Sequence, residues 1–323
     1  MSDPIVIARQ GSLEAGGRAV YAAVNDGIDP DHPRWPPGHV HIDHVYASYQ
    51  YPADQKYRYP ILLNPGGGHT ARVYDTTPDG REGWSTQLLR AGFAVYNVDR
   101  VNSGRSGSDT TAINEVRLGR RPIADLPGLN RYSFESCWVT FRWGPRYGEA
   151  FPDTQFPIEY ADAYYPQTLT AFRNPDEDAK SVDAFVALYD KVGPATMQTW
   201  SSSGLLGMLT ALRRPDMVKG ILAVETSVTA FELIPDGKLE TLAQVPIMVV
   251  IGDRAPDRIA ATTAFAERFR PRGGDITIDV LPDSGIFGNG HTLMLERNND
   301  AILRRMIAWL EEHVYRAASI DSI

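Results

Sequence analysis

The chain has 323 residues, 43% of them hydrophobic and 22% charged, with a formal net charge of −8. That length supports a large core, either in two domains or in one α/β domain with an insertion. An acidic chain whose basic clusters are no longer than pairs such as Arg120-Arg121 and Arg213-Arg214 is a poor partner for nucleic acid or an anionic membrane surface.

A single cysteine, Cys137, excludes an intrachain disulfide and a cysteine-based metal site. Set among aromatic residues, it reads as a small buried apolar side chain. The start, Met1-Ser2-Asp3-Pro4, has neither the basic region nor the apolar run of a signal peptide, and no stretch approaches the ~20 apolar residues of a membrane span. The expectation is a soluble cytoplasmic protein with no nucleic-acid or membrane partner.

In chain order, residues 11–24 and 38–51 alternate in polarity and are rich in Val and Tyr. They predict an antiparallel strand pair across the proline-rich loop 29–37. Short, continuously apolar runs follow at 59–63, 93–98, 195–199, 221–224 and 247–251, with a last candidate at 276–281. Such runs fit strands of a parallel sheet buried on both faces. Helical patterns lie at 84–90, 204–213, 258–269 and 300–314, the last with an apolar face of Ile302, Met306, Ile307, Leu310 and Val314. The alternation breaks between about 109 and 190. The tail from 176 to 192 looks helical, and about 109–175, aromatic in its middle, reads as a cap-like insertion over the active-site edge of one domain spanning 1–323. The fold class is therefore α/β: a mostly parallel central sheet flanked by helices, with antiparallel N-terminal strands.

Three segments carry chemistry. Thr199-Trp200-Ser201-Ser202-Ser203-Gly204 follows an apolar run and opens a helix, the setting of a G-x-S-x-G nucleophile turn with small residues in place of both glycines. A capping serine cluster is the plainer alternative. Pro65-Gly66-Gly67-Gly68-His69 follows the strand ending at Asn64. A glycine-rich turn there exposes N–H groups that can stabilise an oxyanion, and neither phosphate-loop pattern is present. Gly288-Asn289-Gly290-His291 sits between the last strand and the last helix, where a triad histidine falls in chain order. His32, His39, His41, His44 and His313 are poorly placed, and His69 is the rival, as a residue lining the substrate site. For the acid, Glu225 and Asp253 each follow a strand between serine and histidine, and periodicity does not choose between them.

The sequence resembles a group of bacterial carboxylesterases of the α/β-hydrolase fold with a Ser–Glu–His triad. The strings that carry the resemblance run from Gly16-Gly17-Arg18 through Thr76-Thr77-Pro78-Asp79-Gly80-Arg81-Glu82-Gly83-Trp84 and Gly104-Arg105-Ser106. They continue with Ala112-Ile113-Asn114, Phe141-Arg142-Trp143-Gly144-Pro145-Arg146-Tyr147, Asp153-Thr154-Gln155-Phe156-Pro157, Gly288-Asn289-Gly290-His291 and Arg297-Asn298-Asn299. The resemblance implies Ser201, Glu225 and His291 as the triad, and the N–H groups of Gly67 and Ser202 as the oxyanion hole. It also implies a homodimer. The expected activity is hydrolysis of a small carboxylic ester or lactone through an acyl-enzyme, with no cofactor or metal needed. Trp200 stands where the group usually has histidine and Ser202 where it often has glutamine, so Trp200 is expected either to shape the substrate space or to point into the core. The alternatives are an amidase or C–C hydrolase using the same triad, or a non-catalytic binding protein on the same fold.

Overall fold

The computed structural model describes residues 3–23, 35–173 and 176–315. His32, residue 24 of the first expected strand and most of the expected loop 29–37 lie outside them.

Among the described residues ten strands form in chain order: β1 (Ile7–Ala22), β2 (Gly38–Pro52), β3 (Ile61–Asn64), β4 (Val95–Asp99), β5 (Gly128–Asn130), β6 (Ala171–Arg173), β7 (Ala195–Trp200), β8 (Val218–Val224), β9 (Ile247–Ile251) and β10 (Ile276–Val280). Eight of them make one sheet in the order β1-β2-β4-β3-β7-β8-β9-β10. The β1–β2 and β2–β4 pairs are antiparallel and the rest are parallel. The long helices are α1 (Trp84–Ala91), α5 (Glu177–Val192), α6 (Ser203–Arg213), α9 (Pro256–Phe269) and α10 (Asn299–Leu310), with shorter α2 (Thr111–Arg117), α3 (Phe134–Thr140), α4 (Ala161–Tyr164), α7 (Val228–Glu232) and α8 (Leu239–Leu242).

The apolar runs are continuous because the sheet is covered on both sides. Alternate residues of one strand point to opposite faces. Ile221 and Ala223 of β8, with Ile247, Val249 and Ile251 of β9, pack on one side with Phe185 and Leu188 of α5, Leu206 of α6 and Phe265 of α9. Leu222, Val224, Met248 and Val250 pack on the other side with Trp84 and Leu88 of α1 and Ile302 and Met306 of α10.

Between β4 and α5 the described residues add no strand to this sheet. They contribute α2, α3 and α4, and β5 and β6, which pair only with each other. Each of those two strands is three residues long, and its partner lies some forty positions away, so no local alternation marks it. Trp138, Phe141, Trp143, Phe156, Tyr164 and Tyr165 of this segment join the core on the α1/α10 side, while Phe134, Tyr147 and Tyr160 stay exposed. Trp143 stacks on Phe156 at 3.7 Å between centroids, and Trp138 donates its indole N–H to the Tyr165 hydroxyl at 2.9 Å. The parallel strands all end at one edge, and the residues after them, 65–69, 201, 225 and 252–253, are gathered there.

Candidate active site

The turn from β7 to α6 is the tightest feature of that edge. Ser201 has φ +58°, the left-handed region that a non-glycine residue enters at a cost, so its surroundings must hold it there. They do so through its N–H, which donates to the Val224 carbonyl at 3.0 Å, and its carbonyl, which accepts from Gly204 and Ser227. Ser203 fixes the turn from inside: its hydroxyl oxygen accepts the Trp200 N–H at 2.8 Å and lies 3.1 Å from the Asn64 carbonyl. Gly204 must be small, because a Cβ there would come within 2.4 Å of the Thr226 side chain. None of the hydrogen bonds that shape this turn uses the Ser201 hydroxyl.

One strand over, Glu225 also has positive φ, at +49°, and its carboxylate is fully buried. It lies 2.9 Å from Nδ1 of His291. A carboxylate only accepts, so Nδ1 carries the proton and Nε2 keeps its lone pair. The other carboxylate oxygen accepts the Gly252 N–H at 2.6 Å. Two guanidinium groups close in on the same carboxylate, Arg142 at 2.6 Å and Arg258 at 3.4 Å. Burial pushes the Glu225 pKa up, but Arg142, the His291 hydrogen bond and Arg258 outweigh it and hold it at about 2. For His291, burial is the largest influence and lowers the pKa. Glu225 opposes it, Arg258 and Arg142 reinforce it, and the imidazole ends at about 4. At neutral pH the pair is therefore an ionised acid and a neutral base.

The glycine turn after β3 lies against the serine turn: a Cβ on Gly66 would sit 3.2 Å from that of Ser201. The N–H groups of Gly67 and Ser202 donate to no protein acceptor among the described residues. Arg100, after β4, reaches the Ser202 hydroxyl at 3.3 Å.

His69 and Trp200, read from the sequence as substrate-lining residues, are instead turned inward. His69 is fully buried. It donates Nδ1–H to the Gly67 carbonyl at 2.9 Å, which leaves Nε2 to accept the Tyr164 hydroxyl at 2.7 Å, and burial drops its pKa to about 4. Trp200 is 1% exposed and donates its indole N–H to the His291 carbonyl at 2.7 Å. Each braces a segment of the site from within, His69 the glycine turn and Trp200 the loop that carries His291.

Asp253 does not face the imidazole. Its carboxylate accepts the Asn289 N–H at 2.9 Å, and its own N–H donates to the Asn289 carbonyl at 2.7 Å, a two-way clamp on the histidine loop. The neighbouring Arg254 turns away from Asp253 and binds Asp153, between β4 and α5, at 2.6 Å. Asn289 also donates to Glu296 at 2.6 Å and to Asn298 at 2.7 Å, and Gly290 N–H donates to Glu296 at 2.8 Å. Burial lifts the Glu296 pKa to about 7 against those hydrogen bonds. Sequence reasoning missed Arg142, Arg258 and Glu296. Arg142 stood inside a quoted string, but a lone arginine among aromatic residues does not announce which carboxylate it will meet.

Among the described residues no cluster of His, Cys, Asp and Glu could hold a metal ion, and no helix is long and apolar enough to cross a membrane. No family profile matches the sequence. The fold is similar to that of a bacterial esterase known at atomic resolution, with a TM-score of 0.89 over 97% of this chain and 98% of that one, at 32% identity. The sequence is similar to the probable secreted lipase phiG of Fungal sp. (strain ATCC 74256), 26% identical over 325 positions that cover 83% of this chain and 86% of the lipase.

Proposed function

Because the chain belongs to the family of that bacterial esterase, on the α/β-hydrolase fold, we propose that it cleaves carboxylic esters or lactones through an acyl-enzyme formed on Ser201. The observation that carries this reading is the 2.9 Å hydrogen bond from His291 Nδ1 to the buried Glu225, on a loop whose carbonyl is held by the neighbour of Ser201. Nε2 of His291 takes the Ser201 proton as the hydroxyl attacks the carbonyl carbon. The oxyanion that forms is stabilised by the N–H groups of Gly67 and Ser202. His291 then gives the proton to the departing alcohol oxygen. Water, activated by the same nitrogen, repeats the sequence and frees the acid and Ser201.

The test is labelling of the purified protein with a fluorophosphonate probe, beside a panel of p-nitrophenyl esters, lactones and amides. A Ser201 adduct with ester turnover is expected. An unlabelled serine and an inert panel would leave a non-catalytic binding protein.

A pH prediction follows from the His291 environment. The free enzyme works only with a neutral imidazole, and burial with two arginines favours that form, so the acid limb lies below the ordinary histidine value of 6.5, near pH 4. For an uncharged ester, kcat/KM is expected to stay level as pH falls from about 8 to about 5 and to decline only below that. A limb at 6.5 or above would contradict the assignment of His291 as the buried base.

A further inference from the structure

We propose that Arg142 is a positioning residue for the acid–base pair, reaching in from the inserted segment to hold Glu225 as an anion against His291 and to set the pH range over which the pair works. The inference rests on the Ser201 hydrolase reading and extends it to a group that touches neither substrate nor nucleophile.

The geometry is specific. Nη2 of Arg142 contacts Glu225 at 2.6 Å and donates to the Gly290 carbonyl at 2.9 Å, while Nε donates to the Asp253 carbonyl at 2.8 Å. One planar fork thus joins the turn after β8, the turn after β9 and the loop that carries the base. Only a guanidinium offers several donors in fixed relative positions, so lysine could supply the charge but not the three-way contact. The backbone is committed as well: Arg142 has φ +58°, held by Trp143 N–H donating to the Trp138 carbonyl and by the Phe141 carbonyl accepting the His291 N–H at 2.9 Å. A side chain held in an unfavourable backbone region and 11% exposed is poorly explained as a surface charge.

The Arg142 charge acts in one direction on both members of the pair, lowering the pKa of each. The groups facing Glu225 and His291 are Arg142 from the inserted segment, Arg258 from α9, His69 from the glycine turn and Glu296 beyond the histidine loop. Asp253 lies nearby with its carboxylate turned to Asn289. His69 is neutral at pH 7 and takes up a proton only near pH 4, and Arg258 lies further from the carboxylate than Arg142 does. Removing the Arg142 charge makes a proton on the Glu225–His291 pair easier to bind, so the inactive protonated form persists to higher pH.

The experiment measures kcat and KM against pH for wild type, Arg142→Met and Arg142→Lys, with Ser201→Ala as the blank and circular-dichroism melts to establish folding. In Arg142→Met the acid limb of kcat/KM is expected to move up by about one pH unit, and the plateau kcat to fall with KM unchanged. In Arg142→Lys the limb stays near the wild-type position while kcat still falls, because charge is kept and the fork is lost. A folded Arg142→Met with the wild-type limb overturns the proposal. Should that variant not fold, an undiminished kcat in Arg142→Lys overturns it. The parent reading fails separately: if Ser201→Ala turns over ester like wild type, the hydrolase assignment falls whatever Arg142 does.

Discussion

Ser201→Ala is expected to remove ester turnover by at least ~10³-fold while the protein keeps its fold. Alanine loses only the hydroxyl, and the hydrogen bonds that set the turn run through the backbone of residue 201 and the side chain of Ser203. The melting temperature should therefore barely change. Ser203→Ala is the opposing control. It leaves the buried Trp200 N–H without its acceptor, a loss of about 1–3 kcal/mol in stability, yet keeps the nucleophile. An inactive Ser203→Ala beside an active Ser201→Ala would mean that the nucleophile sits two residues further along.

The choice of acid gives the second large effect. Glu225→Gln keeps the shape of the side chain but leaves Arg142 and Arg258 facing no anion and the imidazolium of the transition state without its counter-charge. A fall in kcat of about 10²–10⁴-fold is expected. Asp253→Asn retains an oxygen able to accept the Asn289 N–H, so the clamp on the histidine loop survives and activity should drop far less. The two variants are compared in one assay, with melts to exclude unfolding. A dead Asp253→Asn beside a healthy Glu225→Gln would move the acid to the turn after β9.

Much of this architecture is legible in the sequence, because burial writes itself into composition. The run 247–251 coincides with β9, and 84–90 falls one residue short of α1, because a strand covered on both faces must be apolar throughout and a helix lying on the sheet must be apolar along one side. The positions of Ser201, Glu225 and His291 are legible for a related reason: the first two directly follow strands that are themselves clear, and the third lies between the last strand and the last helix. The arginine pair, Glu296 and the inward turn of Trp200 are not. Their significance lies in contacts between segments far apart in the chain, Arg142 to Glu225 and Trp200 to His291, and no periodicity records such a meeting. Trp200 misleads for a second reason. Next to a nucleophile a large ring suggests a wall of the substrate site, whereas alternation along β7 points it to the face opposite the neighbouring side chains of the strand.

The inserted segment grips the loop that bears the base at successive points. The Phe141 carbonyl accepts from His291, Arg142 binds the Gly290 carbonyl, Gln155 N–H donates to the Gly288 carbonyl at 2.7 Å, and the Trp143 indole reaches the Thr292 hydroxyl at 3.3 Å. Segments joined in this way open together in native-state fluctuations, as one cooperative unit whose opening free energy is its own and not that of the whole molecule. The parallel sheet, whose strands are joined to one another by backbone hydrogen bonds, is expected to form a more resistant unit. Mild urea or heat would then detach His291 from Ser201 while the sheet still gives a native far-ultraviolet signal. Inactivation would precede unfolding, and amide exchange at residues 288–292 would keep pace with exchange in 141–156.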